Sequence, residues 1–101
     1  MDLSLIIPTK DRPKFIEKIL NYYSSKKFKD QIIFADSSNY KNYIKNKKII
    51  KKYKNIKILH SQTIGWTFES LVLIKKKINT TFCLFSGDDD FYHVENLKFL
   101  T

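Results

Sequence analysis

A chain of 101 residues, 43% hydrophobic and 15% aromatic, suits one small domain spanning residues 1–101 and is too apolar to be disordered. Its net charge of +9 admits nucleic acid, an anionic membrane surface or a phosphorylated ligand as partners. No apolar run approaches the roughly 18 residues of a membrane span, the N-terminus does not resemble a signal peptide, and one cysteine excludes an internal disulfide, so we expect a cytoplasmic location.

The first half of the sequence alternates between strand and helix patterns. Leu3 to Pro8 form an apolar run of strand length, and Pro13 suits the first turn of a helix that continues through KFIEKILNYY. Gln31 to Ala35 predict a second buried strand, and a lysine-rich helix is expected from about Tyr40 to Tyr53. The positions expected to face the core are Phe15, Ile16, Ile19, Leu20 and Tyr23 in the first helix and Tyr43, Ile44 and Ile50 in the second.

The second half continues this alternation. Ile56 to Leu59 predict a short third strand, and TFESLVLIKKKI predicts a third helix. Thr81 to Ser86 predict a fourth buried strand, in which Cys83 is a small apolar residue, and another helix begins near Val94. Strands without polar alternation indicate a sheet covered on both faces, so the order predicts an α/β, Rossmann-like fold with a mostly parallel sheet flanked by helices. The expected core positions of the third helix are Phe68, Leu71, Val72 and Ile78.

Polar segments follow three of the predicted strands at their carboxyl ends. They are TKDR after the first strand, DSSN after the second and SGDDD after the fourth. Ligands of open α/β sheets bind beyond the carboxyl ends of the strands. We therefore expect the three segments to converge on one binding site.

The run of Asp88, Asp89 and Asp90 suggests a metal site. Three neighbouring carboxylates repel one another unless a cation neutralises them, and hard oxygen ligands suit Mg²⁺ or Mn²⁺. Alternating residues of an extended segment point the same way, which would pair Asp88 with Asp90. The alternative is a solvated acidic loop that caps the helix starting near Val94.

The order of the motifs is more specific than any one of them. LSLIIPTKDRP, IIFADSSN, TIGWTFES and an apolar strand ending in DDD follow one another in the chain. From Leu3 to Leu100 the sequence resembles the N-terminal, nucleotide-sugar-binding portion of an inverting family 2 glycosyltransferase with a GT-A fold. Complete members have a second half that binds the acceptor and supplies the catalytic base, so the resemblance implies a truncated enzyme whose catalytic base is unassigned.

The resemblance implies roles for named residues. The loop that wraps the nucleotide corresponds to Pro8, Thr9, Lys10, Asp11 and Arg12. Asp36 or Ser37 would accept a hydrogen bond from the base, and Gly65 remains from the family's glycine loop. Asp88 and Asp90 would hold Mn²⁺ or Mg²⁺, with Asp88 and Asp89 as the alternative pair. The implied reaction transfers a sugar from a nucleotide diphosphate sugar, UDP- or GDP-linked, to a glycan or lipid-linked acceptor, as in polysaccharide biosynthesis.

Five of these residues can also be explained by local structure without a ligand. Thr9 and Lys10 fit an ordinary strand-to-helix turn, and Asp11 fits a helix cap ahead of Pro13. Asp36 fits an Asx-turn, and Arg12 fits a surface ion pair.

The positive charge is concentrated in the middle of the chain. No acid occurs from residue 37 to residue 68, and eight lysines lie between Lys41 and Lys57. One hypothesis is peripheral docking on the anionic inner face of a membrane, where lipid-linked acceptors reside. The alternative for the whole chain is a non-catalytic nucleic-acid-binding module, which is disfavoured because Arg12 is its only arginine.

Overall fold

The computed structural model of the protein describes residues 2–65 and 68–97, with the side chains of 68, 69, 95 and 96 left aside. Strands and helices alternate in the predicted order. The elements are β1 (Leu3–Thr9), α1 (Pro13–Ser25), β2 (Gln31–Asp36), α2 (Tyr40–Ile50), β3 (Lys57–Gln62), α3 (Phe68–Lys77), β4 (Phe82–Phe85) and α4 (Val94–Leu97).

The four strands form one parallel sheet in the order β3-β2-β1-β4. β1 lies in the interior, with Thr9 opposite Asp36 of β2 and Leu5 opposite Leu84 of β4. Parallel neighbours need crossover connections, and the helices supply them. The predicted α/β fold, a parallel sheet flanked by helices, is confirmed. No helix within residues 2–65 and 68–97 is both long and apolar enough to cross a membrane.

Both faces of β1 and β2 are covered by helices. Alternate residues of each strand point to opposite faces, so each strand contributes side chains to two apolar clusters. On one face Leu5 and Ile7 of β1 and Phe34 of β2 pack with the apolar side of α1. On the other face Ile6 and Ile33 pack against Ile74 of α3. Because both faces are buried, the sequences of β1 and β2 are continuous apolar runs without polar alternation.

α1 follows its sequence pattern closely. Pro13 lies in its first turn, and Ile16, Ile19, Leu20 and Tyr23 are buried as predicted. Phe15 is only half-buried, and its ring lies 3.9 Å from the guanidinium carbon of Arg12.

α2 differs from its prediction. It ends at Ile50 rather than near Tyr53, and Tyr43, Ile44 and Ile50 are half-buried instead of buried. Its fully buried residue is Asn46, whose side-chain amide donates to Asp36. A polar contact to β2 therefore adds to the apolar packing of Ile49 and Ile50 on the core.

The predicted fourth strand is present, but the prediction that it is buried is wrong. β4 pairs with β1 on one side, and no described strand pairs with its other edge. Phe82, Cys83 and Phe85 are exposed. Leu71 of α3, which was expected in the core, is exposed too, and Ile74 packs on the sheet from this helix instead. The apolar pattern is that of an interior strand, whereas the strand lies at the margin of the sheet.

Candidate functional site

The carboxyl ends of the strands bring the three polar segments together. The amide of Ser37 donates to the carbonyl of Thr9 (3.0 Å), which extends the β1–β2 ladder past the strand ends. The amide of Thr63 donates to the carbonyl of Asp36 (2.8 Å), and the amide of Ser86 donates to the carbonyl of Ile6 (3.0 Å). The loops after all four strands therefore leave the sheet at one edge.

A cleft of about 360 Å³ opens at this edge. Seven of the residues implied by the resemblance line it, namely Pro8, Thr9, Lys10, Arg12, Ser37, Gly65 and Asp88. Ala35 and Thr63, which the sequence did not single out, are the other described residues of the lining. Both follow from the topology, since Ala35 lies beside Pro8 in the register and Thr63 follows the last residue of β3.

Gly65 lies in the left-handed region of backbone conformation, with φ of 58°. A side chain is rarely accommodated there, so the glycine has a conformational reason in the turn beside the cleft.

Asp88 is clamped by the loop after β1. Its carboxylate accepts from the Thr9 hydroxyl (Oγ1 to Oδ2, 3.0 Å) and from Arg12 (Nη1 to Oδ1, 3.0 Å). Asp88 is buried, whereas Arg12 keeps about two fifths of its side chain exposed (41%). The ion pair joins the loops after β1 and β4 and leaves further guanidinium donors for a ligand.

Asp11 faces away from the cleft and ties the loop after β1 to the start of α2. Its amide donates to Ser38 Oγ (2.7 Å), and its Oδ1 accepts from the amide of Asn39 (2.9 Å) and from Asn42 Nδ2 (3.0 Å). The hydrogen bonds from Asn42 and Asn39 lower the pKa of Asp11. Its φ is 54°, which is uncommon for a residue other than glycine.

The structure contradicts the cap interpretation of Asp11. The N-cap of α1 is Arg12, with no side-chain cap hydrogen bond, and Asp11 instead contacts α2. Asp11 orients the loop that carries Thr9 and Arg12, and it does not line the cleft.

Asp36 is fully buried, and its carboxylate holds a polar network. Oδ1 accepts from the amide of Ser38 (2.9 Å), while Oδ2 accepts from Asn46 Nδ2 (2.9 Å) and pairs with His60 Nε2 (2.7 Å). Burial opposes ionisation, but the hydrogen bonds from His60, Ser38 and Asn46 outweigh it and lower the pKa of Asp36 from 3.8 to about 2. The bond to Ser38 is the Asx-turn expected from the sequence.

This network also shows what sequence reasoning missed. Tyr43 stacks on the His60 ring at 4.3 Å, so β3 and α2 both support the acid of β2. The spacings of Asn46 and His60 from Asp36 carry no local signal, because the contacts join three different elements. Asp36 is fully buried and does not line the cleft, so a base contact by its carboxylate would require a rearrangement, whereas Ser37 lines the cleft directly.

The aspartate run is a turn rather than an extended segment. The amide of Asp90 donates to the carbonyl of Gly87 (3.3 Å), so alternating residues do not point the same way as predicted. Asp88 turns inward, while Asp89 and Asp90 are exposed. Asp89 Oδ1 and Asp90 Oδ2 each lie 3.1 Å from where a Cβ on Gly87 would stand, so these two carboxylates converge over that glycine.

The donor set at this turn fits a divalent cation only in part. Among the described residues no group of three or more acids, histidines or cysteines is placed to hold a metal. Asp89 and Asp90 offer converging oxygens, but both oxygens of Asp88 already accept hydrogen bonds. Any cation here would therefore complete its coordination with water or ligand oxygens.

No protein-family model matches the chain, and no curated protein matches it. Two solved structures of S. aureus TarS are similar in fold. One matches with a TM-score of 0.73 and 24% identity, and the other, of residues 1–349, with a TM-score of 0.74 and 25% identity. Each match covers 99% of this chain, but 19% and 31% of the respective TarS chains. The chain thus has a glycosyltransferase-like fold and spans less than a third of the chains it matches.

Proposed function

We propose that the chain is the donor-binding part of a glycosyltransferase of the family 2, GT-A kind. It would bind a nucleotide diphosphate sugar and serve transfer of the sugar to a glycan or lipid-linked acceptor. The observation that carries the proposal is the cleft at the carboxyl edge of the sheet, lined by residues of the loops after β1, β2, β3 and β4. The fold similarity to TarS, a glycosyltransferase, supports it.

Two cations at the cleft suit a diphosphate. Lys10 is exposed at the rim, and Arg12 lies beside it with its charge only partly engaged by Asp88. A guanidinium has five donors, so Arg12 can keep Asp88 and still donate to a phosphate oxygen. Its contact with the Phe15 ring and its bond to Asp88 fix the guanidinium before the ligand arrives.

Ser37 and Thr63 supply the neutral polar groups of the lining. Their backbone amides donate to the carbonyls of Thr9 and Asp36. The Ser37 hydroxyl also donates to the Thr9 carbonyl (3.4 Å), so its oxygen remains to accept a hydrogen bond from the base. We assign the base contact to Ser37 before Asp36, because the carboxylate of Asp36 is enclosed by its own partners.

A divalent cation, when bound, would neutralise charge on the departing diphosphate. We propose that Asp89 and Asp90 hold Mn²⁺ or Mg²⁺ first, because their carboxylates are exposed and converge over Gly87. Asp88 would join through the second lone pair of a carboxylate oxygen while its bonds to Thr9 and Arg12 remain. The pair Asp88 and Asp90 was expected from an extended segment, whereas these residues lie in a turn that leaves Asp88 buried and Asp90 exposed.

A thermal-shift panel tests the proposal, with UDP, GDP and CMP each present with and without Mn²⁺. A ligand at 100 times its dissociation constant stabilises the folded state by about 2.7 kcal/mol. For a domain of this size we expect a rise in Tm of roughly ten degrees or more. Asp90→Asn should remove the part of the shift that depends on Mn²⁺, and Arg12→Gln should reduce the shift with and without the metal.

Glu17→Gln is the matched control, since it removes one exposed negative charge from α1. A shift without Mn²⁺ dependence would contradict the metal role and retain the nucleotide site. A cooperative transition with no shift for any nucleotide would contradict the donor-binding function.

A further inference from the structure

A row of lysines runs along the outer side of α2 and continues past its end. Lys41, Lys45, Lys48 and Lys52 are spaced at i, i+4, i+7 and i+11, which places them on one face of the helix and its continuation. All four are exposed. We name these four residues the lysine stripe.

The lysine stripe lies opposite the part of α2 that contacts the protein. Asn46 is buried against Asp36, and Ile49 and Ile50 pack on the same core as α1. The stripe therefore points away from the sheet, and none of its residues lines the cleft. The stripe and the cleft therefore share no residue.

The sequence around this face carries no acid, and the two described acids that contact α2 from other segments, Asp11 and Asp36, bond its asparagines. Lys47, Lys51, Lys54 and Lys57 are also exposed, and no acid occurs from residue 37 to residue 68. Like charges three and four residues apart on a helix destabilise it by a few tenths of a kcal/mol per pair. A concentrated positive face attracts polyanions over roughly the screening length, about 10 Å at 0.1 M salt.

We propose that the lysine stripe docks the protein on an anionic lipid surface. This inference is separate from the proposed function, because it uses no residue of the cleft. Lysine ammonium groups are compact point charges that suit a fluid layer of headgroups, whereas arginine is the usual reader of bases. The single arginine, Arg12, is engaged by Asp88 and Phe15 and lies at the cleft.

Tyr40 adds an observation that favours lipid over nucleic acid. It begins α2 beside Lys41 and is 76% exposed. Tyrosine is enriched at membrane interfaces because its ring is apolar and its hydroxyl is polar. Single-stranded nucleic acid would instead need several aromatic rings on which successive bases stack.

Vesicle co-sedimentation of the full chain tests the inference. The probes are vesicles of phosphatidylcholine alone and vesicles with about a third phosphatidylglycerol, each at about 0.1 M and about 1 M salt. We expect binding to the anionic vesicles only, and loss of that binding at the higher salt. A stripe variant carries Lys41→Gln, Lys45→Gln, Lys48→Gln and Lys52→Gln. Its affinity for the anionic vesicles should be at least tenfold weaker, since each lysine near such a surface adds to the binding free energy.

The matched control variant replaces four other lysines with glutamine, at Lys14, Lys29, Lys75 and Lys76, and so loses the same charge. These lysines are exposed and lie outside α2, two of them on α3, which packs on the other face of the sheet. Full binding by the control and weak binding by the stripe variant would support the inference, provided both melt cooperatively.

Three results would overturn the inference. They are equal weakening by the control variant, no preference for anionic vesicles, and salt-sensitive binding to RNA or DNA through the stripe without vesicle binding. The first would assign the effect to net charge, and the last would assign the stripe to nucleic acid.

Discussion

β2 and β4 have similar apolar sequences and opposite environments. β2 lies between two strands with both faces covered, and Ile32, Ile33 and Phe34 are fully buried. Among the described strands β4 pairs with β1 alone, and Phe82 and Phe85 are 43% and 56% exposed. Burial in a sheet therefore depends on strand position and on the helices above and below, as well as on residue type.

The candidate cleft joins these two regions. Thr9 and Ala35 belong to the covered strands, and Ser37 directly follows β2. Asp88, in contrast, follows the exposed strand β4. Segments with few buried contacts open at lower free energy than the core. We therefore expect the wall made by the loop after β1 to be more stable than the aspartate turn, which the Arg12–Asp88 pair attaches to it.

The largest expected effect compares two matched phenylalanine substitutions. Phe34→Ala should lower the free energy of unfolding by about 3–5 kcal/mol, because it leaves a cavity in the covered core. Phe82→Ala should cost about 1 kcal/mol or less, since much of that ring already contacts solvent. Urea unfolding measures both values. Equal losses would show that β4 is covered in solution.

Removal of the Asp36 carboxylate ranks next. Asp36→Ala leaves the donors of Ser38, Asn46 and His60 without their acceptor, at about 1–3 kcal/mol for each donor that stays buried and unpaired. We expect a loss of about 3 kcal/mol in urea unfolding, the lower end of that sum. Asp89→Ala, which removes an exposed carboxylate from the turn, should change stability by less than about 0.5 kcal/mol. A small effect of Asp36→Ala would contradict the role of the network.

A smaller effect is expected from acid. The pKa of Asp36 is lowered from 3.8 to about 2 in the folded protein, so the unfolded chain binds more protons between these values. The stabilisation from this ionised carboxylate is complete above pH 3.8 and is lost as the pH falls towards 2. Urea midpoints measured from pH 5 to pH 2 should decline less steeply in Asp36→Asn than in the parent. Parallel curves would show that other acids cause the decline.

The smallest expected effect on stability is at Cys83. Its side chain is exposed on β4, so Cys83→Ser should change the free energy of unfolding by less than about 0.5 kcal/mol. The native thiol should also react with a chromogenic disulfide reagent at a rate close to that of the protein in denaturant. A thiol that reacts only after unfolding would mean that another surface covers β4.

The sequence predicted much of this fold and part of the site. The apolar runs of β1 and β2 and the face of α1 were identified because each follows a local periodicity. The polar segments at the strand ends indicated the cleft, because parallel strands finish at a common edge. The burial of Asn46 and the pairing of His60 with Asp36 could not be predicted from the local sequence. Both depend on how α2 and β3 pack against β2.

The sequence by itself determined the order of strands and helices, the charge of α2 and the residue types available to the cleft, because periodicity and composition are local properties. The tertiary structure decided that Asp88 turns inward to Arg12 while Asp89 and Asp90 face solvent. It also placed β4 at the edge of the sheet and Asp36 inside a polar network. These outcomes depend on contacts between residues distant in the chain, whose geometry is set only when the elements pack together.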